Sequence, residues 1–169
     1  VTLRLPLPLV GAASVRDVTP PPKPQAEPEP EPEPLRVLCA EDNPINQLVL
    51  RALLEEIGCA ATMADNGQAA LDLWRASSWD IVLMDMRMPV MDGLTATRTM
   101  RAEEAASGRP RTPVISVTAD TLAEQVAEQR AAGIDLHLAK PIEASALAEA
   151  LGAALAAQCR TLGAIRRVA

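Results

Sequence analysis

The chain has 169 residues, enough for one domain with a sizeable core plus a tail or linker. Hydrophobic residues make up 49% of it, yet Phe and Tyr are absent and Trp occurs only twice, so a core has to be built from Leu, Val, Ile, Met and Ala. A net charge of −6 and a pI near 4.8 argue against a nucleic-acid surface, and no apolar stretch approaches the roughly 20 residues of a membrane span.

Residues 1–15 alternate Leu3, Leu5, Leu7 and Leu9 with Arg and Pro, a strand-like pattern broken by Pro6 and Pro8. They lack the apolar core and cleavage site of a signal peptide, and with no starting Met the chain reads as a piece of a longer protein. Residues 16–34 hold eight of the fifteen prolines and end in a Glu-Pro repeat, Glu27-Pro28 to Glu33-Pro34. Such a tract is expected to run as an extended acidic spacer of polyproline II character, with a reach on the order of 50–60 Å, or to be a disordered tether with no role beyond its length.

From Leu35 the pattern changes to alternating strands and helices. Leu35–Ala40 reads as a strand, and Cys39 within it as a buried, inert thiol. The three cysteines have no metal-type spacing and fit a reducing compartment better than a disulfide framework. Asn43-Pro44 supplies an N-cap and a first-turn proline. Ile45, Leu48, Val49, Ala52, Leu53 and Ile57 then follow at helical spacing until Gly58 stops the helix. Ala60–Ala64 is a short strand ending in the turn Asp65-Asn66-Gly67, and Ala69–Ala76 a helix carrying Leu71 and Trp74. Ile81–Met84 is a buried strand, Leu94–Ala106 a helix closed by Ser107-Gly108-Arg109-Pro110, and Val114–Val117 a fourth strand. Leu122–Ala132 is a helix closed by Gly133, Ile134–Leu138 a fifth strand, and a last helix starts near Glu143 with Leu147, Leu151 and Leu155 on one face. Five β-α repeats in this length predict an α/β fold, a flavodoxin-like, doubly wound (βα)5 with a five-stranded parallel sheet.

In a parallel sheet all strand C-termini share one edge, where ligands bind. Here they carry Glu41-Asp42 after the first strand, Asp85 after the third, Thr118 after the fourth and Lys140-Pro141 after the fifth. Carboxylates crowded together repel unless a cation sits among them. Oxygen-only ligands suit Mg²⁺ or Mn²⁺ rather than zinc, and His137, the only histidine, lies inside the fifth strand. A divalent cation, a hydroxyl and a lysine around one free carboxylate form a cradle for a phosphoryl group, with Asp85 attacking in line. Fourteen of the sixteen basic residues are Arg, and Lys140 is the only lysine beyond Leu35. A compact ammonium has been kept at the one position where it suits a tight phosphate site.

These residues resemble the receiver domain of two-component response regulators: Glu41-Asp42, then Asn43-Pro44-Ile45-Asn46, the run Met84-Asp85-Met86-Arg87-Met88-Pro89-Val90-Met91-Asp92-Gly93, Thr118-Ala119 and Lys140-Pro141. The resemblance covers about 35–157, leaving 158–169 as a C-terminal tail. It implies that Asp85 accepts a phosphoryl group from a phosphohistidine, on a histidine kinase or a histidine phosphotransfer domain. It further implies that Glu41 and Asp42 organise Mg²⁺, with Asp42, Asp85 and the backbone carbonyl of Arg87 as ligands, and that Thr118 and Lys140 hold the phosphoryl oxygens. The Lys140–Pro141 bond is cis in the family. A switch is implied as well, in which Thr118 moves toward the phosphate and a ring on the fifth strand turns inward. That ring is usually Tyr or Phe and here is His137, smaller and titratable. Arg87 and Asp120 occupy positions that influence how long the acyl phosphate survives.

Thr2–Leu9 is similar to the last strand of the ATP-binding domain of sensor histidine kinases. Kinase end, spacer and receiver, in that order, is the layout of a hybrid histidine kinase, cytoplasmic in this part and without direct membrane contact. The chain has no phosphodonor histidine and no glycine-rich nucleotide boxes, so it is read as a phosphoacceptor rather than a kinase. Three other readings compete. A stand-alone regulator fits the kinase-like start and the spacer less well. A haloacid-dehalogenase-like phosphatase needs a second Asp where the chain has Arg87, and a substrate cap. A degenerate docking receiver would not keep every active-site residue type.

Overall fold

The computed structural model describes residues 33–119 and 123–165, with side-chain environments for these except Ala123 and 159–165. The kinase-like start, nearly all of the Pro-Glu spacer, Asp120 and the last four residues of the tail lie outside the described residues. Five strands and five helices alternate: β1 (Arg36–Ala40), α1 (Pro44–Glu56), β2 (Ala60–Ala64), α2 (Gly67–Ala76), β3 (Ile81–Asp85), α3 (Gly93–Ser107), β4 (Val114–Thr118), α4 (Ala123–Ala131), β5 (Leu136–Ala139) and α5 (Ala144–Ile165). All neighbouring strands pair in parallel, in the order β2-β1-β3-β4-β5. The fold is the flavodoxin-like one. No helix among the described residues is long and apolar enough to cross a membrane.

The strands alternate between two core layers, as a period of two requires. Val37, Cys39, Ile81, Leu83, Ile115, Val117 and Leu138 face Leu50 and Leu54 of α1 and Leu147 and Leu151 of α5. Leu38, Ala40, Val82, Met84 and Val114 face Leu71 and Trp74 of α2 and Ala96 and Met100 of α3. Trp74 is the largest fully buried side chain, and its indole N–H donates to Thr112 Oγ1 at 3.1 Å, so the one large ring in the core is satisfied. Cys39 is fully buried, and burial pushes its thiol well above the usual range.

Local chemistry sets the helix ends. Asn43 Oδ1 accepts from the backbone N–H of Ile45 and Asn46, and Pro44 needs no donor partner at the first helical position. Asn66 caps α2 through Ala69 N–H, and Asp92 caps α3 through Thr95 N–H at 2.7 Å. Gly108 ends α3 at φ 69°, a left-handed conformation that favours glycine.

Some boundaries and one face depart from the sequence reading. α2 starts at Gly67, because the cap is Asn66, so Asn66-Gly67 forms the helix entry. The fifth strand is Leu136–Ala139, and Ile134 precedes it. In α1 the helical spacing of Ile45, Leu48 and Val49 does not mark the buried side: these residues are 70%, 69% and 50% exposed. Leu50 and Leu54 pack on the sheet instead, with Leu53 partly buried against them. Two apolar stripes run along one helix, and the tertiary contact selects the second.

Candidate functional site

The site follows from strand pairing. Ala40 of β1 sits beside Met84 of β3, so the next residue of each strand, Glu41 and Asp85, emerges side by side at the C-terminal edge. Glu41 N–H donates to Ala64 O at 3.0 Å, extending the β1–β2 ladder by one step. Asp85 is level with Val117, so Thr118 lies one step further along β4, buried at its tip. Lys140 N–H donates to Thr118 O at 2.9 Å and carries the β4–β5 ladder to its end, where the Lys140–Pro141 peptide is cis.

Glu41, Asp42 and Asp85 offer carboxylate oxygens that all lie within 4.8 Å of one another. Glu41 and Asp85 are nearly buried, at 2% and 7% exposure, while Asp42 is open to solvent. The ammonium of Lys140 holds the cluster together, 2.6 Å from Glu41 Oε2 and 2.7 Å from Asp85 Oδ2. Burial alone would weaken its hold on the proton. The hydrogen bonds and charges of Asp85 and Glu41 outweigh that, so Lys140 holds its proton more tightly than an ordinary lysine. Lysine thus bridges two carboxylates at the strand tips.

Arg87 reaches the site through its backbone, with its N–H donating to Asp85 Oδ1 at 3.1 Å. The chain between Asp85 and α3 is packed tightly. A Cβ on Gly93 would lie 2.1 Å from Asp85 O, and one on Gly67 would lie 2.5 Å from Met91 O. Between them Val90, 85% exposed, takes φ 67° in a tight turn in which Met91 N–H donates to Pro89 O at 2.8 Å. A β-branched residue at positive φ is strained, and the strain sits five residues from Asp85.

His137 does not join the carboxylates. Its Nδ1 lies 2.8 Å from Ser116 Oγ and 2.9 Å from Gln129 Oε1, so the ring is held between β4 and α4. The carbonyl oxygen of Gln129 can only accept, which puts the proton on Nδ1. Nε2 is buried without a hydrogen-bond partner. Burial, and then the charge of Arg130, lower the pKa of this histidine.

Sequence reasoning missed two residues of the site. Asn46 Nδ2 donates to Glu41 Oε1 at 2.9 Å, and Gln47 Nε2 donates to both Glu41 O and Asp65 Oδ1. Their signal is partial: both lie in the first turn of a capped helix directly after the acidic pair, but the contact itself depends on how that helix packs.

The donor set is all oxygen, with one ammonium and no Cys or His, and suits a hard divalent cation. The protein is thus of the doubly wound α/β class, with an acidic, lysine-bridged cleft at the C-terminal edge of its sheet. The comparisons with known proteins agree. Residues 37–152 match the response regulator receiver domain, and the chain belongs to that family. It is 39% identical over 114 residues to the sensor protein GacS of Pseudomonas syringae, spanning 68% of this chain but only 13% of that protein. The receiver domain of the sensor histidine kinase PA1611 of Pseudomonas aeruginosa, solved with magnesium coordinated in its active site cleft, superposes with TM-score 0.66. It is 35% identical, with 73% of this chain and 98% of that one covered. The receiver of the response regulator Ssk1 of Saccharomyces cerevisiae, solved with the histidine phosphotransfer protein Ypd1, gives TM-score 0.65 at 27% identity, over 70% and 86% of the two chains. Residues 37–152 are therefore a receiver domain of two-component signalling.

Proposed function

We propose that Asp85 is the phosphoacceptor of this receiver, and that it takes the phosphoryl group from a phosphohistidine. The observation that carries the reading is the Lys140 ammonium bridging Asp85 and Glu41 beside Asp42, on the edge where a donor can approach. An Asp85 oxygen attacks phosphorus as the N–P bond to the imidazole breaks, and the imidazole leaves with that electron pair. Lys140 follows the charge onto the phosphoryl group, and Thr118 donates its hydroxyl to a phosphoryl oxygen. Asp42, Asp85 and the Arg87 carbonyl, backed by Glu41, would hold a Mg²⁺ that supplies the remaining positive charge. Mn²⁺ would satisfy the same oxygens.

The donor protein docks on α1. Ile45, Leu48 and Val49 are exposed on the helix that starts two residues after Asp42. A histidine cannot reach a nearly buried carboxylate unless its protein seats close to that edge. The relatives' names, sensor protein and sensor histidine kinase, support a receiver that forms one part of a longer kinase. In that reading residues 1–15 end its ATP-binding domain, residues 16–34 are the spacer, and 35–157 work in the cytoplasm.

The experiment is transfer of label from a radiophosphorylated histidine phosphotransfer domain, with Leu48→Glu as the probe of docking. The expected result is Mg²⁺-dependent transfer to the chain, slowed in Leu48→Glu with the protein donor but not with acetyl phosphate. Equal slowing with both donors would refute docking on α1.

A further inference from the structure

We infer that Asn46 is a positioning residue for cation binding: its side-chain amide holds the Glu41 carboxylate in the one orientation that faces the cleft. The inference rests on the reading of Glu41, Asp42 and Asp85 as the cation site. Glu41 is pinned at three points from one side. Oε1 accepts from Asn46 Nδ2 at 2.9 Å and from Asn43 N–H at 3.3 Å, and its backbone carbonyl accepts from Gln47 Nε2 at 2.6 Å. Only Oε2 is turned to the cleft, where it meets Lys140.

The arrangement matters because Lys140 is shared. Once its ammonium follows charge onto a phosphoryl group, Glu41 is an almost fully buried carboxylate that has lost its ionic partner. A buried charge without partners turns toward any donor it can find or takes up a proton. Two hydrogen bonds on Oε1 remain, and of these only the Asn46 amide is a side chain that substitution can remove. It keeps Oε2 turned toward the cleft through each exchange of Lys140, so that Glu41 goes on backing the ligands Asp42 and Asp85, as groups behind a metal site orient the ligands in front of them. Asn46 itself is exposed on the first turn of α1 and lies outside the core, so replacing it leaves the packed layers of the fold in place.

The test is the Mg²⁺ affinity of the whole chain by titration calorimetry, for the parent, Asn46→Leu, Asn46→Gln and Asp42→Asn, with thermal unfolding in metal-free buffer as the check on folding. The expected result is a loss of about tenfold or more in affinity for Asn46→Leu, in the range seen when groups behind a metal site are removed. Asn46→Gln, which keeps the amide donor, recovers most of that affinity, and both variants still unfold in one cooperative transition in metal-free buffer, well above the temperature of the titration. Parental affinity in Asn46→Leu would overturn the proposal while leaving the cation site standing. So would a Gln variant as weak as Leu, since the effect would then not be the amide's. If the parent binds no Mg²⁺, or Asp42→Asn binds it unchanged, the reading of the cation site fails and the proposal falls with it.

Discussion

The two walls of the cleft are held by different chemistry. On the β1–β3 side, α1 buries Leu50 and Leu54 in the core and grips Glu41 through Asn46 and Gln47, while glycines 67 and 93 seat α2 and α3 against the loop after Asp85. On the β4–β5 side, α4 has few apolar residues and buries Gln129, whose amide meets His137 and, through it, Ser116. That second wall leaves one ring nitrogen buried without a partner. The contrast is between a wall whose helix packs on the sheet through leucines and grips Glu41, and a wall whose strands share that apolar core but whose α4 meets them through a polar contact.

The contrast can be broken most sharply at Gly93. An added Cβ would press on the backbone oxygen of Asp85, which has no room to give, so Gly93→Ala is expected to lose about 4 kcal/mol or more. Denaturant unfolding measures this, and a loss under about 1 kcal/mol would mean that the wall can give way there. A smaller effect is expected at the entry to α1. Asn43→Ala removes the cap and should cost about 1 kcal/mol in the same assay.

The smallest effect belongs to the second wall and depends on pH. The pKa of His137 is lower in the fold than in the unfolded chain, because burial and then Arg130 disfavour the imidazolium. The fold therefore prefers the neutral ring. This contribution to stability is complete above the unfolded value of about 6.5 and is lost as pH falls below it, toward the lower folded value. The stability difference between parent and His137→Phe should shift against the parent between about pH 7.5 and 5.5, followed by urea unfolding at each pH. A difference that stays constant over that range would show that the ring is not held neutral.

Most of the fold was legible because its signals are local. Caps at Asn43, Asn66 and Asp92 and left-handed glycines at 58, 108 and 133 mark where helices begin and end, and the apolar strand runs leave one sensible sheet. The juxtaposition of Glu41, Asp42, Asp85 and Lys140 was legible too, since a parallel sheet brings its strand tips to one edge. What could not be read depends on which of two surfaces packs. The apolar stripe of Ile45, Leu48 and Val49 looks like a buried face until Leu50 and Leu54 are seen to occupy the core. Asn46 looks like an ordinary surface residue, and its contact with Glu41 exists only once the helix folds back over the strand tip. The partners of His137 come from β4 and α4, and no pattern along one segment could pair them. Lys140 was expected to await a phosphoryl group; the electrostatics of crowded carboxylates also gives it a place between Glu41 and Asp85.

The most direct test of the account is the intact mass of the chain after incubation with Mg²⁺ and acetyl phosphate, beside Asp85→Asn and a sample with the metal chelated. The account predicts a gain of one phosphoryl group that requires Mg²⁺ and is absent from Asp85→Asn. A gain that persists in Asp85→Asn, or no gain from either acetyl phosphate or a phosphohistidine donor, would contradict it.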